Sequence, residues 1–152
     1  MLRTCLVLAD ETVEFLHSGC SLIVGIVGDD GAPLASRGWG LTVLEPDGSR
    51  LRLIGVEGEV AVGPIAITAC SVPTLRSMQF KGDLVEIVAM TDADQAKCEQ
   101  YADDFMQDIA DTDGVPRYLL ERILPAHRVA CTVVVDEMFD QTPGPRAGAP
   151  LS

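Results

Sequence analysis

The sequence predicts a mainly β domain, β plus α: about six antiparallel strands forming a closed or split barrel, with helices at its periphery. Short β-rich apolar runs recur between Gly-, Pro- and Asp-rich turns. The helical spacings that interrupt them fall mostly late in the chain, between the fifth and sixth runs. No Gly-x-Gly-x-x-Gly joins a strand to a helix and no P-loop is present, which argues against a doubly wound nucleotide-binding sheet.

The elements follow in order. Asp10 is expected to cap a short helix reaching about His17, with Val13 and Leu16 as its buried stripe and Gly19 as its end. Leu22 to Val27 is a β-rich run closed by Gly28-Asp29-Asp30-Gly31, a hairpin signal. Leu34 to Leu44 reads as one strand, closed by the turn composition Glu45-Pro46-Asp47-Gly48. Arg50 to Val56 alternates, with Arg50 and Arg52 on one face and Leu51 and Leu53 on the other, as a half-exposed antiparallel strand does. Ile65 to Cys70 is a short strand stopped by Pro73. Leu75 to Met90 is a long one, with Gly82 marking a bulge or a close backbone approach.

Thr91 opens a helix whose apolar stripe is Cys98, Tyr101, Ala102, Phe105, Met106 and Ile109. Its other face is acidic, including Asp92, Asp94, Asp103, Asp104 and Asp108, and is expected to be solvated. Asp113-Gly114 ends that helix. A shorter one follows from Pro116, with Leu119, Leu120 and Ile123 as its apolar positions, until Pro125. Val129 to Val135 is the last strand. Residues 141–152, rich in Pro and Gly, are expected to be irregular, though open to being pinned to the body. With no repeat and no linker, residues 1–152 read as a single domain.

Composition narrows the function. The 152 residues carry 11 Lys+Arg against 23 Asp+Glu, a net charge of −12. A field of that sign repels nucleic-acid backbones and anionic membrane surfaces. No apolar run reaches the roughly 20 residues of a membrane helix. The start of the chain lacks the apolar core and cleavage site of a secretory signal. The five cysteines are odd in number and show no C-x-x-C spacing, and only His17 and His127 are present. Neither a disulfide framework nor a metal centre is expected, the thiols read as packing residues, and a cytoplasmic location fits. His17 and His127 lie near element ends with no Ser or Cys partner in view.

Between Ser21 and Met90 the cations are Arg37, Arg50, Arg52, Arg76 and Lys81. Any phosphate clamp draws on this set. Arg50 and Arg52 alternate with leucines and read as a solvated strand face. Gly38 and Gly40 flank the single tryptophan, Trp39. They let a flat ligand approach the backbone, or they make a bulge that anchors Trp39 in the core. Ser77, Gln79 and Lys81 form a polar strand face opposite Met78 and Phe80. It meets solvent, or it offers hydroxyl, amide and ammonium groups to a ligand.

Three segments occur in one order: Leu34-Ala35-Ser36-Arg37-Gly38-Trp39-Gly40, then Arg76-Ser77-Met78-Gln79-Phe80-Lys81-Gly82, then Phe139-Asp140-Gln141-Thr142-Pro143-Gly144-Pro145. In this the chain resembles the pyridoxamine 5′-phosphate oxidase-related proteins, the FMN-binding split β-barrels. The resemblance implies a six-stranded split barrel and a homodimer with the cofactor, flavin mononucleotide (FMN), in a cleft at the subunit interface. It implies Arg37, Gly38, Trp39 and Gly40 along the flavin, and Ser77, Gln79 and Lys81 in the later segment, with Lys81 on the phosphate. It also matches Gln141 and Thr142 to the tail motif. Arg37 and Lys81 are expected to neutralise one phosphate dianion between them.

The function implied is a flavoprotein, an FMN-dependent oxidoreductase acting on a small molecule, with no catalytic residue assigned. The alternative is a non-catalytic binding or sensor module for FMN, haem or a deazaflavin, or a barrel that has lost its flavin. The chain departs from the resemblance at Glu57 to Pro64, which is too short for the helix of about three turns that the family carries between its third and fourth strands.

Overall fold

The computed structural model describes residues 6–44, 50–124 and 128–151. The expectations at Cys5, the 45–48 turn, Pro125 and His127 lie outside them. The described elements are α1 (Asp10–Leu16), β1 (Ser21–Val27), β2 (Pro33–Gly38), β3 (Gly40–Val43), β4 (Arg50–Val56) and β5 (Gly63–Cys70). Then come β6 (Ser77–Ala89), α2 (Asp92–Asp113), α3 (Arg117–Leu120), a 3-10 turn (Glu121–Ile123), β7 (Val129–Asp140) and β8 (Ala149–Leu151).

The sheet runs β2-β1-β5-β6-β7-β4-β3, antiparallel throughout, with β8 on β7. Its two ends are one stretch of chain. β2 and β3 are the strand expected over Leu34–Leu44, bent at Trp39 so that its first half pairs β1 and its second half pairs β4. The Trp39 N–H donates to the Ile54 carbonyl at 2.9 Å and the Glu57 N–H to the Arg37 carbonyl at 3.2 Å, so the sheet curls back on itself through this bend. Counting β2 and β3 as one bent strand, and setting aside the short β8 that pairs β7, gives a barrel of six strands.

Period-two alternation fills the barrel. Leu22, Val24, Leu53, Ile67, Phe80 and Val133 point inward and are almost fully buried. The core is aliphatic, as a chain with 5% aromatic residues requires. α1 packs on this core with Phe15 and Leu16. Ala9 is its N-cap and Asp10 its first helical residue, so the expected side-chain cap is absent.

A second core lies outside the barrel. Trp39, Ile54 and Ala130 of the strands meet Cys98, Phe105 and Met106 of α2. Trp39 is buried and its ring sits edge-on to Phe105 at 5.7 Å. This explains why the second half of β4 is buried on both faces while its first half alternates. α2 begins at a reciprocal cap: the Asp94 N–H donates to Thr91 Oγ1 at 3.1 Å and the Thr91 N–H to Asp94 Oδ2 at 2.9 Å. Gly114, in the left-handed region, ends it.

Three expectations change. The last strand runs on past Val135 to Asp140, because β6 is long enough to pair it throughout. The tail expected to be irregular contributes β8, whose Ala149, Pro150 and Leu151 pair with Asp140, Phe139 and Met138. Asp94 does not belong to a solvated face: it is 5% exposed and paired with Arg52, which therefore does not simply face solvent either.

At Gly82 both expected features occur. The β6–β7 register shifts between Lys81 and Gly82, and a Cβ at Gly82 would lie 1.9 Å from the Val134 carbonyl oxygen.

Candidate functional site

The segments singled out in the sequence are linked by one cross-strand row of the sheet. Arg37 pairs with Ile23, Ile23 with Thr68, Thr68 with Gln79, and Gln79 with Phe139. Arg37 and Gln79 therefore share one cross-strand row. Three strand spacings separate them, roughly 14 Å along the sheet.

The Gln79 and Gln141 segments form one unit. The Gln141 N–H donates to the Ser77 carbonyl at 2.8 Å, and the Ser77 N–H donates to Thr142 Oγ1 at 3.0 Å. Gln141 Nε2 donates to Gln79 Oε1 at 3.4 Å, and Gln79 Nε2 donates to Thr68 Oγ1 at 3.3 Å. Thr142 in turn bonds through its N–H to Asp140 Oδ1 at 2.9 Å. That bond holds the Asp140 carboxyl below its usual range. Ser77 is buried, with its hydroxyl donating to the Leu75 carbonyl, so it supports the turn before it.

Arg37 lines a cleft of about 480 Å³ between the end of the β1–β5 pair and the last turns of α2. Ser21, Cys70, Phe105, Ile109 and Leu75 share its wall. The Arg37 guanidinium lies 5.7 Å from the Trp39 ring centre and 5.8 Å from that of Phe105. It is thus a cation held beside an aromatic wall. The cleft is open to solvent, and Thr112 and Asp113 add polar groups to its wall.

Lys81 stands elsewhere. Its Nζ lies 5.0 Å from the Phe139 ring centre, toward the neighbouring strand β7. The shallow cleft it lines has Asp136 and Glu137 as neighbours. One chain therefore does not gather Arg37 and Lys81 around one phosphate. Strand order puts β1 and β5 between them, and their nearest aromatic rings differ: Trp39 and Phe105 for Arg37, Phe139 for Lys81.

Gly38 and Gly40 lie against the protein's own side chains on their Cβ side. A Cβ at Gly38 would lie 2.8 Å from Leu53 Cδ1, and one at Gly40 would lie 2.4 Å from Ile54 Cγ1. The space beside both glycines is filled by the protein's own side chains. Trp39 is an anchor of the outer core, and its indole N–H donates to Glu57 Oε1 at 2.8 Å. Of the segment Arg37 to Gly40, only Arg37 offers a polar side chain to a cleft.

His17 does have a partner, which the sequence did not signal. The Val43 N–H donates to its Nε2 at 3.2 Å. Burial and the Lys97 ammonium lower the pKa of its ring. The residue lines a cleft of about 230 Å³ between β3 and α2. Cys20, Cys98 and Cys131 are buried and Cys70 is half-buried. Burial raises the thiol pKa at Cys131 to about 11. Among the described residues no group of three or more His, Cys, Asp or Glu is placed to hold a metal ion. None of the described helices is long and apolar enough to cross a membrane.

No protein-family model and no curated protein matches the chain. Solved structures do. HupZ from Group A Streptococcus superposes with a TM-score of 0.55 at 16% identity, covering 93% of this chain and all of that one. A second neighbour is described as a putative pyridoxamine 5′-phosphate oxidase from Lactobacillus delbrueckii. It gives a TM-score of 0.49 at 20% identity, over 91% of this chain and 97% of its own. A third is a pyridoxamine 5′-phosphate oxidase-related, FMN-binding protein from Nostoc punctiforme. It gives 0.46 at 15% identity, over 91% and 87%.

The chain is a split barrel. The bent β2–β3 strand, which joins both ends of the antiparallel sheet, carries that assignment. In this split barrel Glu57 to Val62 is a connection without a helix or strand. It is used structurally, because the Glu57 carbonyl accepts from Ser36 Oγ and its carboxylate holds Trp39. The cleft around Arg37 brings together one cation, one acid at Asp113, and an apolar wall. The guanidinium suits an anion, Ser21 and Thr112 add hydroxyls, and Phe105 with Ile109 offers an apolar wall.

Proposed function

We propose that the chain binds FMN at the Arg37 cleft and works as a flavin-dependent oxidoreductase on a small molecule. The observation that carries this reading is a guanidinium at the wall of a largely apolar cavity of about 480 Å³. Arg37 would hold the phosphate, with the Ser21 and Thr112 hydroxyls as further donors. Phe105 and Ile109 would pack against the ring and exclude water. The bound flavin supplies hydride or electron transfer, while the protein supplies orientation and electrostatics.

We also propose that two copies pair through the outer face of β1, β5 and β6. Ile23 and Val27 are each 44% exposed there, beside half-buried Ala66 and Thr68. A half-exposed apolar sheet face of this kind is a candidate for cover by a partner. Pairing would place Lys81 of one copy near the site of the other, which is how Lys81 would enter a phosphate clamp.

The second reading is a non-catalytic module for FMN, haem or a deazaflavin, or a barrel without flavin. It is favoured by the packing of Leu53 and Ile54 on the Cβ side of Gly38 and Gly40, which fills that side of the strand segment with the protein's own side chains. An absorbance spectrum after mixing with FMN and gel filtration decides between them. A retained band at about 450 nm supports the first reading, and its loss in Arg37→Ala locates it. A protein that stays colourless in excess FMN ends the FMN reading.

A further inference from the structure

The turn from β5 to β6, residues 71–76, contains the one non-glycine positive φ among the described residues: Leu75, at +59°. A leucine there pays the steric penalty that glycine avoids and asparagine tolerates. Four hydrogen bonds hold the turn in this shape. The Leu75 N–H donates to the Ser71 carbonyl at 2.9 Å, and the Ser71 N–H to the Arg76 carbonyl at 2.9 Å. The Ser77 hydroxyl donates to the Leu75 carbonyl at 2.9 Å, and the Arg76 N–H to Thr74 Oγ1 at 3.3 Å.

Packing within the chain does not repay the strain. Leu75 is 55% exposed, and it is absent from both hydrophobic cores. It lines the Arg37 cleft together with Val72 and Phe105. The strained position therefore places an uncovered apolar residue at a cavity that holds a cation. Backbone strain of this kind, held here by the turn's own hydrogen bonds, clusters at active sites and ligand clamps.

We infer that Leu75 is a specificity-determining residue of this cleft, which seats the flat apolar body of an anionic aromatic ligand whose charged end is held by Arg37. This rests on the cleft being the ligand site proposed above. The turn backbone sets the direction of the Leu75 side chain, and the side chain sets which ring face the site accepts. Small anions such as inorganic phosphate offer Leu75 no surface, so they depend on Arg37 alone.

The test measures FMN affinity by flavin fluorescence in the wild type, Leu75→Gly, Leu75→Met and Arg37→Ala, with thermal melts of each ligand-free protein. Leu75→Gly is expected to weaken FMN about fivefold or more while its ligand-free Tm stays level or rises, because the strain is relieved. Leu75→Met is expected to remain within about twofold of wild type. A residue that only supports the fold would lower Tm and move affinity little. Should wild type bind FMN and Leu75→Gly bind it equally well, the role of Leu75 is overturned and the site reading stands. Should wild type and Arg37→Ala both fail to bind FMN, the site reading itself falls and takes this inference with it.

Discussion

Arg52 and Asp94, 42 positions apart, form a two-pronged ion pair between β4 and the first turn of α2: Nε to Oδ1 is 2.8 Å and Nη2 to Oδ2 is 2.5 Å. The same carboxylate accepts from the Thr91 N–H, so one side chain caps the helix and ties it to the barrel. The Arg52 guanidinium holds the Asp94 carboxyl well below the usual carboxylate range, with the Thr91 bonds adding to it.

Asp94→Asn is therefore expected to cost about 2–3 kcal/mol, because it leaves a half-buried guanidinium unpaired and weakens a cap. The sign of the pH dependence follows. A depressed folded pKa contributes stability that is full above the unfolded value of about 3.9 and is lost as pH falls toward the folded one. Urea melts of wild type and Asp94→Asn should differ at pH 7 and draw together progressively as pH falls below about 4. A constant difference across that range would sink the assignment.

Gly82→Ala should be among the most damaging single changes. Its Cβ would sit 1.9 Å from the Val134 carbonyl oxygen, a backbone atom that cannot swing aside. A loss of at least about 3 kcal/mol is expected, read as a lower urea midpoint or as failure to fold. A melt like that of wild type would show that the β6–β7 bulge differs from this description.

His17 is expected to titrate below the ordinary histidine value of about 6.5, since burial and Lys97 both disfavour its charged form. With a lowered folded pKa, its contribution to stability is full above the unfolded value and declines as pH falls through the window below it. The Val43 N–H is a donor and has no acceptor once Nε2 is protonated. An NMR titration of the ring protons gives the pKa directly; a value above 6.5 would contradict this environment.

Arg37→Ala should weaken FMN binding at least tenfold, since one charge-assisted hydrogen bond is worth about 1.5–3 kcal/mol and tenfold is about 1.4 kcal/mol. Lys81→Ala should act only through the paired state. Its effect on FMN is expected to vanish in an Ile23→Lys background that blocks pairing, and light scattering would report that background as a monomer. A Lys81→Ala loss of affinity that persists in a monomer would place the ammonium in the same chain's site.

Local pattern alone determined most of the elements. The alternation from Arg50 to Leu53 specifies an inward and an outward face because the pleat has period two. The spacing of Cys98, Tyr101, Ala102, Phe105 and Met106 specifies the buried stripe of α2 because a helix turns every 3.6 residues. The glycine at position 82 marked its bulge for the same local reason.

Only the tertiary structure decided what depends on distant partners. Asp94 reads as one more acid in an acidic helix until Arg52 arrives from another strand. Gly38 and Gly40 read either as a ligand approach or as a bulge anchoring Trp39, until Leu53 and Ile54 pack beside them and Trp39 is buried. Arg37 and Lys81 read as two halves of one clamp, but β1 and β5 lie between their strands, and strand order is not encoded in any short stretch of sequence. Leu75 was the least legible: its left-handed φ belongs to the hydrogen bonds of the turn around it, and nothing in the residue type announces it.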